Sequence, residues 1–159
     1  KSDLYFDTEK FITAEIEILL EEVKYVSVSL ELDGIIESKD SIAVDSSSFD
    51  EISNLLKQAN INKDIFKDEY TLDTLWMLSP SSNTNIAVAN YTTTNNDLKV
   101  KWLQVYDNGS IKALIKDKNV LFNYEKEVYY EKGVKFSVNS WQKTLSQDSI
   151  HVFKEILFL

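Results

Sequence analysis

The chain has 159 residues, 17 of them Lys and 26 of them Asp or Glu, and its formal net charge at pH 7 is −9. It contains no Cys, which excludes disulfides and thiolate chemistry. The acidic charge and the complete absence of Arg argue against a nucleic-acid partner, because such proteins neutralise phosphates with a basic surface. The length suits one domain of about 100–200 residues, which we place at residues 1–159.

No stretch of the chain reaches the roughly 18–20 apolar residues of a membrane-spanning helix. The sequence therefore predicts no transmembrane segment. The chain begins KSDLYFDTEKF, without an initiator Met. We expect from this beginning that a targeting sequence has been removed.

The first predicted element is a helix over residues 7–24. Its apolar residues recur at spacings of three and four, and Asp7 is placed to cap the start. The apolar stripe consists of Ile12, Ile16, Leu19, Leu20 and Val23. Glu15 and the other acidic residues lie mostly off this stripe. We therefore expect a solvated acidic face and an apolar face packed on a sheet.

A hairpin over residues 25–44 is predicted next. Residues 25–32 alternate between apolar and polar side chains, as in a strand with one buried face. The dipeptide Asp33-Gly34 is a strong signal for a two-residue hairpin turn. Residues 35–44 then return as the partner strand.

A second helix is predicted over residues 48–59. Ser48 and Glu51 have the S-x-x-E spacing of a capping box, and Asn60 is a plausible stop. The stripe predicted to be buried consists of Phe49, Ile52, Leu55, Leu56 and Ala59.

Residues 70–158 are predicted to form an antiparallel meander without a further helix. Short alternating segments are separated by turns such as Asp107-Asn108-Gly109, and strands with short connections usually pair as neighbours. The predicted fold class is α+β. Two amphipathic helices pack on a strongly twisted, mostly antiparallel sheet of about eight strands, whose curvature could reach that of a half-barrel.

Three segments carry a resemblance to a known group of proteins. They are the acidic helix LYFDTEKFITAEIEILLEE, the segment NINKDIFKDEYTLD at residues 60–73, and DNG…LFNYEKEVYYEKGVKF within residues 105–136. In this order the chain resembles uncharacterised small envelope lipoproteins of Bacteroidetes-type Gram-negative bacteria. The resemblance implies export to the periplasm, or anchoring at the outer membrane or cell surface by a lipid upstream of residue 1. It implies no known activity.

Signals for catalysis are weak in this sequence. His151 is the only histidine and no G-x-S-x-G motif accompanies it, so we interpret it as a partly exposed strand residue. Glu125, Glu127 and Glu131 form the best carboxylate cluster, but lysines alternate with them, as on a solvated sheet face. We predict no catalytic residue, cofactor or metal site, and we interpret the protein as non-enzymatic.

The aromatic residues of the predicted sheet either fill a core or line a binding site. Aromatic residues on one face most often pack under helices. The candidate ligand-binding residues are Trp76, Trp102, Tyr106, Tyr124, Tyr129, Tyr130 and Trp141.

Three interpretations of the function stay open. The favoured one is a binding or interaction module, because amphipathic aromatic residues favour interfaces. The second is a carrier that holds an apolar ligand or lipid in a half-barrel cavity. The third is a glycan-active hydrolase with paired carboxylates. The partner is an unknown protein, glycan or lipid, and not a nucleic acid.

Overall fold

The structure is a computed structural model that describes residues 4–145 and 148–159. Within these ranges the chain forms two α-helices, one short 3-10 helix and nine β-strands. The helices are α1 (Thr8–Glu22), α2 (Asp50–Gln58) and the 3-10 turn Asp64–Phe66. The strands are β1 (Tyr25–Leu32), β2 (Ile35–Ala43), β3 (Thr71–Leu78), β4 (Asn85–Thr92), β5 (Val100–Tyr106), β6 (Ile111–Lys118), β7 (Phe122–Glu131), β8 (Lys135–Thr144) and β9 (Ile150–Phe158).

All nine strands belong to one antiparallel sheet with the order β2-β1-β9-β8-β7-β6-β5-β4-β3. Strands β3 to β9 form a meander, and the β1–β2 hairpin extends it because β1 pairs with β9. The sheet does not close on itself in the described part of the chain, and β2 and β3 are its two edges. The predicted antiparallel α+β fold is confirmed, with nine strands instead of about eight. Of the helices described, none has the length and apolar character needed to cross a membrane.

Both α-helices pack on the same side of the sheet, which we call the covered face. Apolar side chains of the two helices and of strands β7 to β9 meet there in one buried cluster. This cluster includes Ile12, Leu19, Phe49, Ile52, Leu56, Val128, Tyr130, Phe136 and Ile156. Successive strand residues point to opposite sides. The residues between these core positions therefore form a second surface, which we call the open face.

The first helix follows its predicted stripe with two exceptions. Asp7 caps the helix as predicted, since its Oδ1 accepts from the Lys10 backbone N–H at 2.9 Å. Leu20, predicted to be buried, is 39% exposed. Glu15, expected on the solvated face, is only 7% exposed. It follows Ile12 by three residues and precedes Leu19 by four, which places it on the buried stripe.

The buried Glu15 has partners that compensate for its burial. Its Oε1 accepts a hydrogen bond from the Tyr130 hydroxyl at 3.0 Å, and its Oε2 lies 3.8 Å from Lys132 Nζ. A buried carboxylate without such partners would be strongly destabilising. The pair therefore ties α1 to the centre of the sheet.

The second helix begins without the predicted capping box. Its N-cap residue is Phe49, which makes no side-chain capping bond. The Ser48 hydroxyl is used one turn earlier, where its Oγ accepts from the Asp45 backbone N–H at 2.8 Å. The helix stops at Gln58, just before Asn60. All five residues of the predicted stripe, from Phe49 to Ala59, are buried as expected.

The predicted hairpin turn is confirmed in its detail. Asp33 has φ of 49° and Gly34 has φ of 85°, the two positive values that a type I′ turn requires. The returning strand ends at Ala43, one residue before the predicted end. Every residue of this edge strand is exposed, so the hairpin contributes to the core only through β1, whose Val26 is buried.

Two buried asparagines connect the start of α1 to the segment after α2. Asn60 Oδ1 accepts from the Thr8 backbone N–H at 3.2 Å. Asn62 Oδ1 accepts from the backbone N–H groups of Leu4 and Tyr5 at 2.9 and 3.1 Å. Buried amide groups of this kind are costly to leave unpaired.

We expect Asn62→Ala to lower the free energy of unfolding by about 1–3 kcal/mol, because it leaves two backbone donors without their acceptor. Urea unfolding followed by circular dichroism measures this change. The matched control is Asn54→Ala on the exposed side of α2, with an expected change within about 0.5 kcal/mol. Equal effects of the two substitutions would show that the Asn62 bonds contribute no stability.

Candidate functional site

The seven aromatic candidates divide between the two faces of the sheet. Strand register places Trp102, Tyr106, Tyr129 and Trp141 on the open face. The same register places Trp76, Tyr124 and Tyr130 on the side of the sheet where the helices pack. The seven therefore do not form one cluster.

Two of the candidates have buried side chains. Tyr130 is fully buried in the core, and this burial, reinforced by the negative charge of Glu15, raises the pKa of its hydroxyl above the ordinary value. Tyr106 is 3% exposed, with its hydroxyl 3.2 Å from Gln104 Oε1. We assign both residues to packing, because a ligand does not reach them without rearrangement of their surroundings.

Trp76 lies apart from the other candidates. It is 74% exposed on the edge strand β3, opposite Ala87 of β4. Its ring is therefore mostly in solvent, although it lies on the side of the sheet where the helices pack. Trp76 is therefore an exposed aromatic residue at a sheet edge, separate from the open face.

The open face carries aromatic rings among hydrogen-bonding side chains, in rows that cross the strands. One row runs through Trp102, Leu114, Glu127, Asn139 and Phe153. The next row runs through Lys116, Glu125, Trp141 and His151. Most of these side chains are half-buried by their neighbours, with no described element packed over them. Such a mixture of rings and polar groups is typical of binding surfaces.

His151 and Trp141 form a stacked pair in the second row. Their ring centroids are 5.0 Å apart and the planes differ by 14°. His151 Nε2 lies 2.9 Å from Asn139 Oδ1, which fixes the imidazole in place. The histidine is partly buried in β9, in agreement with its interpretation as a strand residue. It orients the Trp141 ring on the open face.

The glutamates considered for catalysis are engaged with neighbouring side chains. Glu125 lies 3.0 Å from Lys116 Nζ, and Glu127 lies 3.1 Å from Lys112 Nζ. Glu131 Oε1 accepts from the Tyr129 hydroxyl at 3.1 Å. Burial, together with the negative charge of Glu131, raises the pKa of Tyr129 to about 12.

A cavity of about 660 Å³ lies beside the second row, at the end of the strands where the β6–β7 hairpin turns. The β4–β5 loop, the β6–β7 hairpin and the end of β8 surround it. Its cationic residues are Lys99, Lys101, Lys116, Lys118 and Lys143, and we call it the lysine cavity. Its acidic residues are Asp97, Asp117 and Glu125, and its aromatic residues are Tyr124 and Trp141.

Some of these lysines have internal partners and others do not. Lys99 pairs with Asp117 at 3.3 Å, and Lys101 Nζ donates to the Asn96 carbonyl at 2.9 Å. Lys118 and Lys143 are exposed and have no acidic partner within 4.0 Å among residues 4–145 and 148–159. Partial burial, followed by the negative charge of Asp117, raises the pKa of Tyr124 at the cavity wall.

No pattern within a single segment of the sequence predicts the lysine cavity. Its lining residues come from five separate segments, three of which supply the lysines, and each of these three also contains acidic or polar residues. Along the chain these lysines are separated by other residues and form no basic run. Only the pairing of β5 to β8 brings them together.

A second cavity of about 490 Å³ adjoins the first on the covered face. The two share Asp97, Leu98, Lys99 and Tyr124. Apolar side chains of Phe66, Val100 and Ile115 also line this second space. Gln58, Asn60 and Lys63 line it as well, so its wall is part apolar and part polar.

The fold and site define an open antiparallel sheet with two helices on one face and a mixed aromatic and charged surface on the other. No protein family matches the chain, and no curated protein or solved structure is significantly similar to it. The chemistry of the open face and the lysine cavity is therefore the basis for its function.

Proposed function

We propose that this protein is a non-enzymatic binding module of the bacterial envelope, exported and held there as a lipoprotein. It takes its ligand along the open face and into the lysine cavity. The observation that carries the proposal is the position of Trp141, which belongs to both. Its ring lies in the row with Glu125 and His151 and also lines the cavity. The two surfaces are therefore continuous.

The electrostatic surroundings of the glutamates support binding over hydrolysis. The acid of a glycoside hydrolase is kept protonated by apolar surroundings. Glu125 and Glu127 instead each lie about one hydrogen-bond length from a lysine ammonium. Such ion pairs are suited to holding side chains in position on a solvated sheet.

The carrier with a half-barrel cavity is the alternative proposal. The cavity beside Phe66 and Ile115 is the observation in its favour, because an apolar ligand needs apolar side chains to contact and these two form part of the wall. Against it, the aromatic residues with the most complete burial, Tyr130, Phe49 and Phe136, belong to one packed core cluster that also contains residues of both helices. A carrier would instead leave the space between the sheet and the helices empty for its ligand.

The binding surface is tested by fluorescence, because the chain has only three tryptophans. Trp76→Phe leaves Trp102 and Trp141 as the reporters. This variant is titrated with cellotriose, trigalacturonate and monomeric lysophosphatidylcholine. We expect a saccharide to change the emission, because Trp102 and Trp141 contact it. The substitutions Trp102→Ala and Trp141→Ala are made separately in the natural sequence, and the affinity for the saccharide is measured by calorimetry. We expect each substitution to weaken binding by about tenfold, which corresponds to a stacking loss of about 1–1.5 kcal/mol.

The matched control is Trp76→Ala, which removes an exposed tryptophan outside the proposed surface and leaves the affinity unchanged. Circular dichroism establishes that all variants are folded. Binding of the lysolipid alone, unaffected by Trp102→Ala and Trp141→Ala, supports the carrier. Absence of binding by all three probes contradicts both proposals.

A further inference from the structure

We infer that the ligand of the lysine cavity is an oligosaccharide that carries acidic groups, either carboxylates or sulfates. This inference rests on the proposed function and adds the chemical class of the ligand. Three features of the cavity support it: its charge, its mixture of donors and acceptors, and its size and aromatic wall.

The charge of the cavity is opposite to that of the protein. Five lysines and three acidic residues line it, which leaves 12 lysines and 23 acidic residues for the rest of the chain. This local excess of positive charge attracts anions to the cavity, whereas the acidic remainder of the protein repels them. Lys118 and Lys143 are exposed and lie on different strands. They are available to hold two separate acidic groups of one ligand.

The cavity also contains hydrogen-bond acceptors that a simple anion site would lack. Asp97, Asp117 and Glu125 repel a bare phosphate or sulfate, but their carboxylates accept hydrogen bonds from hydroxyl groups. The amides of Asn96, Asn123 and Gln142 both donate and accept. A ligand that combines many hydroxyls with a few acidic groups satisfies all of these side chains. Acidic oligosaccharides have this composition.

The size and the aromatic wall fit the same class. The volume of about 660 Å³ lies within the range of sites for molecules of several rings. Trp141 is held by its stack with His151 and forms part of the wall. A preoriented ring loses little entropy when a sugar packs on it. Because the open-face row leads into the cavity, a longer chain extends from it toward His151.

The test uses the full chain as Trp76→Phe, with trigalacturonate for carboxylates, a chondroitin sulfate disaccharide for sulfates, and cellotriose as the neutral saccharide. We expect at least one of the two acidic saccharides to bind about tenfold or more tightly than cellotriose. This preference should fall as NaCl rises from about 0.05 M to about 0.5 M, because salt screens exposed charges. The saccharide that binds more tightly shows whether the cavity prefers carboxylates or sulfates.

The lysines are tested by the double variant Lys118→Gln/Lys143→Gln, which we expect to weaken acidic-saccharide binding by about tenfold. Its matched control is Lys10→Gln/Lys39→Gln, which removes the same charge from exposed positions on α1 and β2. We expect the control to keep the affinity and both double variants to stay folded. Equal weakening by the two would assign the effect to overall charge and overturn the inference.

The remaining outcomes separate this inference from the proposed function. If cellotriose binds as tightly as the acidic saccharides and Trp141→Ala still weakens it, the acidic class is wrong and the binding module stands. If inorganic phosphate competes with the acidic saccharide at equal concentration, the cavity is a plain anion site and the saccharide class is wrong. If no saccharide binds, this inference and the proposed binding module both fail.

Discussion

Phe49→Ala is expected to lower the free energy of unfolding by about 3–5 kcal/mol. Phe49 is 1% exposed at the start of α2, and its ring meets that of Phe158 edge to face at a centroid distance of 5.7 Å. Removal of the ring leaves a cavity between helix and sheet that the backbone cannot close. The loss is a large part of the total stability of about 5–15 kcal/mol typical of domains.

Urea unfolding followed by far-ultraviolet circular dichroism measures this effect. The control is Ile65→Ala, since Ile65 is 78% exposed in the 3-10 turn, and we expect its change to stay within about 0.5 kcal/mol. Similar midpoints for the two variants would mean that Phe49 does not belong to the core. That result would also undermine the contact of α2 with the covered face.

Alkaline pH is expected to destabilise the protein steeply, through Tyr70 and Tyr130. Both side chains are buried, and burial is the main reason that the pKa of each lies above the ordinary value of 10. Their hydroxyls donate to the Val100 carbonyl at 2.7 Å and to Glu15 at 3.0 Å, bonds that require the protonated form. A folded tyrosinate would face an oxygen acceptor in each case.

The direction of the pH effect follows from proton counts in the two states. Below pH about 10 both residues are protonated in the folded and unfolded chains, so they add no pH dependence. Above that pH the unfolded chain releases protons that the folded chain retains. Stability therefore falls as pH rises toward the higher folded pKa, by up to about 1.4 kcal/mol per pH unit for each tyrosine.

The measurement is the urea midpoint at intervals between pH about 9 and 12. Tyr130→Phe lowers stability at neutral pH, because Glu15 loses its donor, but we expect a flatter decline above pH about 10. Tyr25→Phe, at an exposed position of β1, is the control and should keep the natural slope. Lysines also lose charge in this range, but they do so equally in all variants. An unchanged slope in Tyr130→Phe would contradict the explanation.

Local patterns in the sequence were sufficient for most of the secondary structure. The spacing of Ile12, Leu19 and Val23 predicted α1, and the stripe from Phe49 to Ala59 predicted α2, because a helix returns to the same face every three or four residues. The pair Asp33-Gly34 predicted the hairpin turn through its tolerance of positive φ. Such signals act within a few residues and need no knowledge of the rest of the chain.

Long-range pairing could not be read in the same way. The β1–β9 pairing joins residues 26–32 to residues 152–158, and no local signal specifies a partner so distant in the chain. The burial of Glu15 depends on the hydroxyl of Tyr130, which lies 115 residues away. The predicted capping role of Ser48 was wrong, because its hydroxyl oxygen accepts a hydrogen bond from the Asp45 backbone N–H instead.

The sequence by itself determined the class of fold, the helices and hairpin, and the sets of residues that share a face, because periodicity is a property of short segments. Only the tertiary structure decided which face the helices cover. That choice places Tyr130 in the core and leaves Trp102 and Trp141 on the open face. It also decided that lysines from three segments meet in one cavity, because strand pairing converts distant positions into neighbours.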